Sequence, residues 1–141
     1  MTPARSIEDA RILAIDDEPA NLALVETVLR REGYRHILTL GDPRKAAETH
    51  LTFRPDLVLL DLMMPSIDGY ALLDNLGRLT GADDLVPIMV LTADTSIEAK
   101  RRALALGARD IVVKPFDVFE FGLRVGNLIE LRLMFERRAP G

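Results

Sequence analysis

The chain alternates short apolar runs with segments whose apolar residues recur every three or four positions. Runs of four or five mainly apolar residues predict strands. They are RILAI (11–15), HILTL (36–40), DLVLL (56–60), PIMVL (87–91) and DIVV (110–113). Apolar residues at helical spacing follow each run, as in the segment that carries Leu22, Val25, Val28 and Leu29. The pattern therefore predicts five strands and five helices in strict alternation.

Helix boundaries have their own signals in the sequence. Gly33 is typical of a helix stop, and Asp42 followed by Pro43 is typical of an N-cap and a first helical position. Thr95 and Glu98 have the spacing of a capping box, so Thr95 is expected to begin the fourth helix. The last helix is expected to begin near Asp117.

Alternating strands and helices call for a parallel sheet that is covered on both faces. Right-handed crossovers make this a doubly wound α/β sandwich, which we expect to have the flavodoxin-like strand order 2-1-3-4-5. We expect one domain over residues 10–130, an N-terminal extension over 1–9, and a C-terminal extension of the last helix over 131–141.

Composition narrows the class of protein. The 141 residues carry a net charge of −4, which does not favour a nucleic-acid-binding or membrane surface. There is no cysteine, so disulfides, thiolate zinc sites and cysteine nucleophiles are excluded. The start MTPARSIEDA lacks the apolar core of a signal peptide, and no apolar run approaches the ~18 residues of a membrane span. We expect a cytoplasmic protein.

Polar residues stand where the predicted strands end. Asp16 and Asp17 follow the first strand, Asp61 the third, Thr92 the fourth and Lys114 the fifth. In open α/β sheets the ligand crevice lies at the carboxyl ends of the strands, near the point where strand order reverses. We therefore expect these side chains to meet in one crevice.

Three carboxylates in one crevice repel each other, so at neutral pH they need a proton or a cation. Oxygen ligands without histidine or cysteine suit Mg²⁺, or Mn²⁺ in its place. A carboxylate, a divalent cation, a lysine and a threonine hydroxyl are the groups that handle phosphoryl transfer, and the carboxylate can itself be the nucleophile. Taken alone, Asp17 could cap a helix and Asp61 could cap a turn. The occurrence of these polar residues together at the strand ends favours a functional site.

Four segments resemble the receiver domain of bacterial two-component response regulators over about residues 10–130. They are AIDDEPAN, LLDLMMPSIDGY, VLTAD and GARDIVVKPFD, which occur in the family's order and spacing. The resemblance implies that Asp61 is the phosphoacceptor. The phosphoryl group would come from a phosphohistidine of a sensor histidine kinase or a histidine phosphotransfer protein.

The resemblance also implies roles for the neighbouring residues. Asp17 would bind Mg²⁺ directly and Asp16 mainly through water, together with Asp61 and the backbone carbonyl of Met63. Thr92 and Lys114 would bind the phosphoryl oxygens, and Pro115 would follow Lys114 through a cis bond. One position departs from the family, which often has tyrosine or phenylalanine where this chain has Ile111. That departure puts the aromatic part of the usual switch in doubt.

The last helix has more apolar residues than docking on a sheet requires. One face could be covered by Val118, Phe121, Val125, Leu128 and Ile129. Beyond the expected domain edge follow Leu131, Leu133, Met134 and Phe135. They predict a partner surface, either for a homodimer through the fourth and fifth helices or for a helix that continues to an output domain or protein. The alternative is that they pack back on the fourth helix. His36 and His50 are expected at the surface.

Other functions fit the pattern less well. A haloacid-dehalogenase-type phosphatase would carry its nucleophile after the first strand in a D-x-D pattern, where residues 16–18 read Asp-Asp-Glu. A flavodoxin would not place acidic residues against a flavin phosphate. A pseudo-receiver that serves only as an interaction module would be expected to have lost at least one of the acidic pair, Asp61, Thr92 or Lys114. The sequence favours a signalling domain that catalyses only its own phosphorylation and dephosphorylation.

Overall fold

The computed structural model describes residues 5–80 and 84–138 and contains a five-stranded parallel sheet. Its strands are β1 (Arg11–Ile15), β2 (His36–Leu40), β3 (Leu57–Asp61), β4 (Ile88–Thr92) and β5 (Asp110–Val113). They lie in the order β2-β1-β3-β4-β5, and all neighbouring pairs are parallel. The predicted α/β fold and strand order are therefore confirmed.

Five α-helices connect and follow the strands. They are α1 (Pro19–Arg31), α2 (Ala46–Phe53), α3 (Gly69–Arg78), α4 (Ile97–Ala105) and α5 (Val118–Arg138), with short 3-10 turns at Ile7–Asp9 and Pro43–Lys45. The expected cap at α4 is wrong by one residue. Ser96, not Thr95, has the extended N-cap backbone, and its hydroxyl accepts a hydrogen bond from the Ala99 N–H at 3.2 Å.

The sheet separates two apolar cores because successive side chains of a strand point to opposite faces. Ile12, Leu57 and Leu59 face α1 and α5, whereas Leu13, Val58 and Leu60 face the side of α2, α3 and α4. All five residues of β3 and of β4 are buried. Burial on both faces explains why these two strands read as continuous apolar runs.

Three side chains differ from their expected exposure. His50 was expected at the surface, but α2 turns it inward and it is only 6% exposed. Val118 was expected to cover the sheet, but it is half exposed at the start of α5. Leu133 is buried in the core shared with α1, on the opposite face of the sheet from α4, while Leu131 and Met134 are exposed. The apolar residues at the end of α5 are therefore buried at Leu133 and exposed at Leu131 and Met134.

Helix α5 has 21 residues and runs without interruption past residue 130. At 1.5 Å per residue it is about 31 Å long, roughly twice the length of a five-residue strand. The remote ends of the two predicted extensions, residues 1–4 and 139–141, lie outside the described residues. Among the helices described, none is both long and apolar enough to span a membrane.

Candidate functional site

Three carboxylates meet at the carboxyl edge of the sheet. Ile15 and Leu60 are register partners on the neighbouring strands β1 and β3, so the residues that follow them lie side by side. Oxygen atoms of Asp16, Asp17 and Asp61 all lie within 4.8 Å of one another. The structure therefore brings together the three acidic residues that the strand ends indicated.

Turn hydrogen bonds orient two of these carboxylates. Asp16 Oδ1 accepts from the Glu18 N–H at 2.9 Å, and Asp61 Oδ1 accepts from the Met63 N–H at 3.0 Å. The turn-capping role considered for Asp61 thus occupies Oδ1 only, and Oδ2 lies against Lys114. Asp17 does not cap α1, whose N-cap residue is Glu18 without a side-chain cap hydrogen bond.

Lys114 supplies the positive charge of the site. Its Nζ lies 3.1 Å from Asp16 Oδ2 and 3.3 Å from Asp61 Oδ2. Its own N–H donates to the Thr92 carbonyl at 2.8 Å, which holds the end of β5 against β4. The bond between Lys114 and Pro115 is cis. An approaching anion would therefore compete for a lysine that is already paired with two carboxylates.

Burial determines the electrostatics of Asp61, which is 4% exposed. Desolvation raises the pKa of Asp61, and the neighbouring charge of Asp16 raises it further. The Met63 N–H and the Lys114 ammonium act in the opposite direction without overcoming this rise. The Asp61 carboxylate is therefore a stronger base than an exposed aspartate.

Thr92 is the last residue of β4. It is buried, and β4 lies beside β3, the strand that ends in Asp61. Leu91, the residue before Thr92, is the register partner of Asp61. The Thr92 hydroxyl accepts a hydrogen bond from the Asp94 N–H at 3.1 Å. Because Ser96 caps α4, Thr92 has no capping role there, and its hydroxyl lies at the same sheet edge as Asp61.

Gly69 is a site-positioning residue that the sequence analysis did not single out. It is the first residue of α3, after the cap Asp68, whose carboxylate accepts from the Tyr70 N–H at 3.0 Å. A Cβ at Gly69 would lie 2.4 Å from the Leu62 carbonyl oxygen. The start of α3 therefore presses on the residue that directly follows Asp61. The only sequence signal was a glycine directly after a helix cap.

An apolar crevice opens beside the carboxylates. It has a volume of about 360 Å³ and runs between α1 and the loop that follows β5. Asp16, Asn21, Asp61 and Lys114 form its polar edge, and its apolar lining includes Leu22, Leu24, Val25, Leu59, Leu91 and Phe116. The strand-end argument anticipated a crevice at these polar residues but not its apolar walls, part of which come from α1.

The donor set fits a hard divalent cation. Three carboxylates supply oxygen atoms, and Mg²⁺ is held by one or two carboxylates while it keeps several water molecules. Ligand atoms around Mg²⁺ lie roughly 3–4 Å apart, and the three carboxylate oxygens, all within 4.8 Å of one another, are close enough to hold one ion directly or through its water molecules. Lys114 balances only part of the cluster's negative charge.

Ile111 lies in β5, half-buried against the core that faces α2, α3 and α4. The position at which the family often has an aromatic switch residue therefore carries an aliphatic side chain in this chain. Met63, expected to contribute only its carbonyl, has an exposed side chain.

Comparisons with known proteins show which family the chain is similar to. The family model described as the response regulator receiver domain matches residues 12–125. The DNA-binding response regulator MtrA of Mycolicibacterium smegmatis is 41% identical over 115 residues, which cover 82% of this chain and 48% of MtrA. More generally, the chain spans about half the length of the curated relatives it matches.

Solved structures show the same fold. A putative response regulator from Chloroflexus aurantiacus superposes with a TM-score of 0.78 at 31% identity, over 86% of this chain and 98% of that one. The receiver domain of the sensor histidine kinase PA1611 from Pseudomonas aeruginosa has a TM-score of 0.75 at 30% identity, over 86% of this chain and 98% of its own. That structure has a magnesium ion coordinated in its active site cleft.

Proposed function

Since this chain belongs to the response regulator receiver domain family, we propose that it accepts a phosphoryl group on Asp61 and thereby switches an interaction surface. The observation that carries the proposal is the meeting of three strand ends, those of β1, β3 and β5. Three carboxylates lie within 4.8 Å of one another, and Lys114 lies 3.3 Å from Asp61. The chain is a signalling domain whose chemistry is its own modification.

In the proposed reaction Asp61 Oδ2 attacks the phosphorus of a phosphohistidine. The new P–O bond forms as the P–N bond breaks, and the departing imidazole nitrogen keeps the electron pair and takes a proton. Lys114 already lies against Oδ2, so a small displacement lets it pair with a phosphoryl oxygen. The Thr92 hydroxyl accepts from the Asp94 N–H, and its own O–H donates to the phosphoryl group.

Asp16, Asp17, Asp61 and the Met63 carbonyl are the residues that would hold Mg²⁺. When bound, the ion neutralises the carboxylates and the charge that develops on the phosphoryl oxygens. The PA1611 receiver domain supports this assignment, because it holds magnesium in the corresponding cleft of the same fold. Mn²⁺ fits the same oxygen ligands.

The proposed donor is a sensor histidine kinase or a histidine phosphotransfer protein in the cytoplasm. Such a partner has to cover the edge of the sheet where Asp61 lies, and the apolar crevice beside it offers complementary surface. MtrA is a DNA-binding protein, and this chain matches only about half of it. We therefore assign no nucleic-acid contact to the receiver and propose that an output domain or partner protein reads its state.

The switched surface is proposed to be α4 and α5, used for a homodimer. Ile97 on α4 and Phe119 on α5 are 65% and 73% exposed. Cationic Lys100 and Arg101 on α4 and anionic Glu120 on α5 are also exposed. Two copies related by a two-fold axis could pair these opposite charges around the apolar residues.

The experiment is intact-protein mass spectrometry after incubation with Mg²⁺ and a small-molecule phosphodonor. The test variant is Asp61→Asn and the matched control is Asp68→Asn, which removes a nearby acid but keeps a good N-cap. We expect one phosphoryl addition in the wild type and the control, none in Asp61→Asn, and none when Mg²⁺ is chelated.

The other outcomes separate the alternatives. Continuous turnover of a phosphomonoester without a stable adduct would indicate a phosphatase. Absence of labelling, together with no beryllofluoride binding, would leave an interaction module that uses the same fold. Labelling of Asp61→Asn would place the acceptor elsewhere.

A further inference from the structure

The two chain segments outside the family match, before residue 12 and after residue 125, contact each other at the base of the sheet. Arg5 reaches two acidic residues with one guanidinium. It donates to Asp56 at 2.8 and 3.0 Å and to Glu136 at 2.6 Å. Arg132 Nε donates to the same Asp56 at 3.0 Å. We call these four residues, Arg5, Asp56, Arg132 and Glu136, the basal clasp.

Asp56 is the centre of the basal clasp. It is only 2% exposed and directly precedes β3, at the opposite end of the strand from Asp61. Its two oxygens receive four hydrogen bonds, from the Arg5 guanidinium twice, from Arg132 and from the backbone N–H of Arg11 at 2.8 Å. The positions of these partners therefore depend on the buried Asp56 carboxylate, because removal of its charge would leave the Arg5 and Arg132 cations without this partner.

The basal clasp also reaches the segment before β4. Arg132 Nη1 pairs with Asp84 and donates to the Leu85 carbonyl at 3.0 Å. Arg132 itself is largely buried. One arginine of α5 thus contacts the segments that precede two adjacent strands, β3 and β4, which orients the helix on the base of the sheet.

Apolar contacts and a second ion pair accompany the basal clasp. Ile7 packs against the core cluster that contains Tyr34, Ile129 and Leu133. Asp9 of the same N-terminal turn pairs with Arg35 at 2.5 Å. The N-terminal segment is therefore attached on one side to Arg35, directly before β2, and on the other to the end of α5.

We propose that the basal clasp is a conformational device that docks residues 130–138 of α5 on the domain, and that residues 5–10 and 130–138 are released together when it opens. The distal turns carry the exposed Leu131 and Met134. The basal clasp therefore decides whether this apolar surface is presented on an ordered helix. The proposal is independent of phosphoryl transfer at Asp61.

The alternative is that α5 holds its own distal turns, since leucine, arginine, methionine and glutamate all favour helices. Hydrogen exchange measured by mass spectrometry on the full chain separates the two. The first variant is Asp56→Asn. The matched control is Asp110→Asn, which removes another strand-start aspartate paired with an α5 arginine, Arg124.

We expect Asp56→Asn to raise the exchange rate at least tenfold in both 5–10 and 130–138, and Asp110→Asn to leave both segments unchanged. Equal rates in 130–138 for wild type and Asp56→Asn would overturn the proposal. Arg5→Ala gives a second test, because residue 5 is distant in sequence from α5 and lies at the edge of the fold. Faster exchange in 130–138 of Arg5→Ala would support a shared clasp even if Asp56→Asn unfolds. Unchanged exchange there would overturn it.

Discussion

The ammonium of Lys114 lies 3.3 Å from the carboxylate of Asp61, across a sheet in which β4 separates their strands. The pair forms because both residues end or follow a strand at the same edge. It means that the site holds an internal cation before any ligand arrives. A divalent cation and Lys114 therefore act on the same negative charges, and their contributions can be separated by mutation.

Lys114→Met should tighten Mg²⁺ binding while it impairs phosphorylation. Removing a charge that lies 3.1–3.3 Å from two carboxylates lowers the repulsion of a second cation. We expect about a tenfold tighter Kd, equivalent to about 1.4 kcal/mol, and at least a tenfold slower labelling of Asp61. The chain has no tryptophan, so isothermal titration calorimetry is suitable. Lys100→Met on α4 should change neither quantity, and weaker Mg²⁺ binding in Lys114→Met would contradict the argument.

Asp17→Asn should stabilise the metal-free protein and abolish its stabilisation by Mg²⁺. One of three clustered negative charges is removed, so we expect the free energy of unfolding in EDTA to rise by about 1 kcal/mol. With Mg²⁺ the wild type should gain stability through mass action and the variant should not. Urea unfolding with and without Mg²⁺ measures both effects. Glu98→Gln, a charge removal at an exposed position of α4, is the control; the same response in both variants would refute a specific cation site.

Stability should fall as the pH drops below about 6.5, because of His50. Burial lowers the pKa of His50 from its usual 6.5, although the charge of Asp84 partly opposes this. The unfolded state then binds more protons than the folded state between the two pKa values, so the free energy of unfolding rises with pH in that window. His50→Leu should flatten this part of the urea-unfolding profile, whereas His36→Gln at an exposed position should keep it. A flat wild-type profile would disprove the assignment.

Gly69→Ala should destabilise the fold by about 2–3 kcal/mol, since the new methyl would lie 2.4 Å from a backbone oxygen of Leu62. Gly77→Ala is the matched control in the same helix, where the nearest atom is 3.9 Å from the added Cβ. There we expect no loss, and up to about 1 kcal/mol of gain from helix propensity. Chemical denaturation gives both free energies of unfolding. Equal effects of the two substitutions would show that the close contact with Leu62 does not destabilise Gly69→Ala.

Phe119→Ser should prevent a dimer that forms when the site is loaded with Mg²⁺ and beryllofluoride. Phe119 is the most exposed large apolar residue of α5 among those described, so its burial would contribute strongly to self-association. Multi-angle light scattering should show a doubled mass for the wild type and a monomer for the variant. Leu51→Ser on α2 should behave as wild type. A monomer mass for the wild type with and without the mimic would exclude this use of α4 and α5.

Much of the fold was predictable because each strand is a run of mainly apolar residues and the helices carry apolar residues at helical spacing. β3 ends one residue later than predicted because its ladder continues through the pairing of Asp61 with Leu91, and β4 ends one residue later because Thr92 pairs with Val113 of β5. The convergence of the acidic residues followed from the parallel sheet alone. Strand ends on adjacent strands meet, whatever the connecting loops contain.

The rest depends on contacts between residues that are distant in sequence. His50 is an exception, because its helical spacing from Ala46 and Phe53, which pack in the core, was a sequence signal that the expectation of a surface histidine overlooked. The pairing of Arg5 with Asp56 joins an N-terminal residue to the start of β3, and ion pairs have no sequence period. Thr95 and Ser96 are both good N-caps, and only the backbone geometry distinguishes them.

The five residues of β3 carry no polar side chain until Asp61, while Asp56 stands just before the first of them. The two aspartates are thus about 17 Å apart, at about 3.3 Å per residue, with an uncharged layer between them. A systematic replacement of each position by a charged residue should therefore show two regions tolerant of charge at opposite ends of the molecule, and a central band that accepts none. Substitutions at the Asp61 end should abolish phosphorylation and leave folding intact. Substitutions at the Asp56 end should alter order in residues 5–10 and 130–138 without affecting phosphorylation.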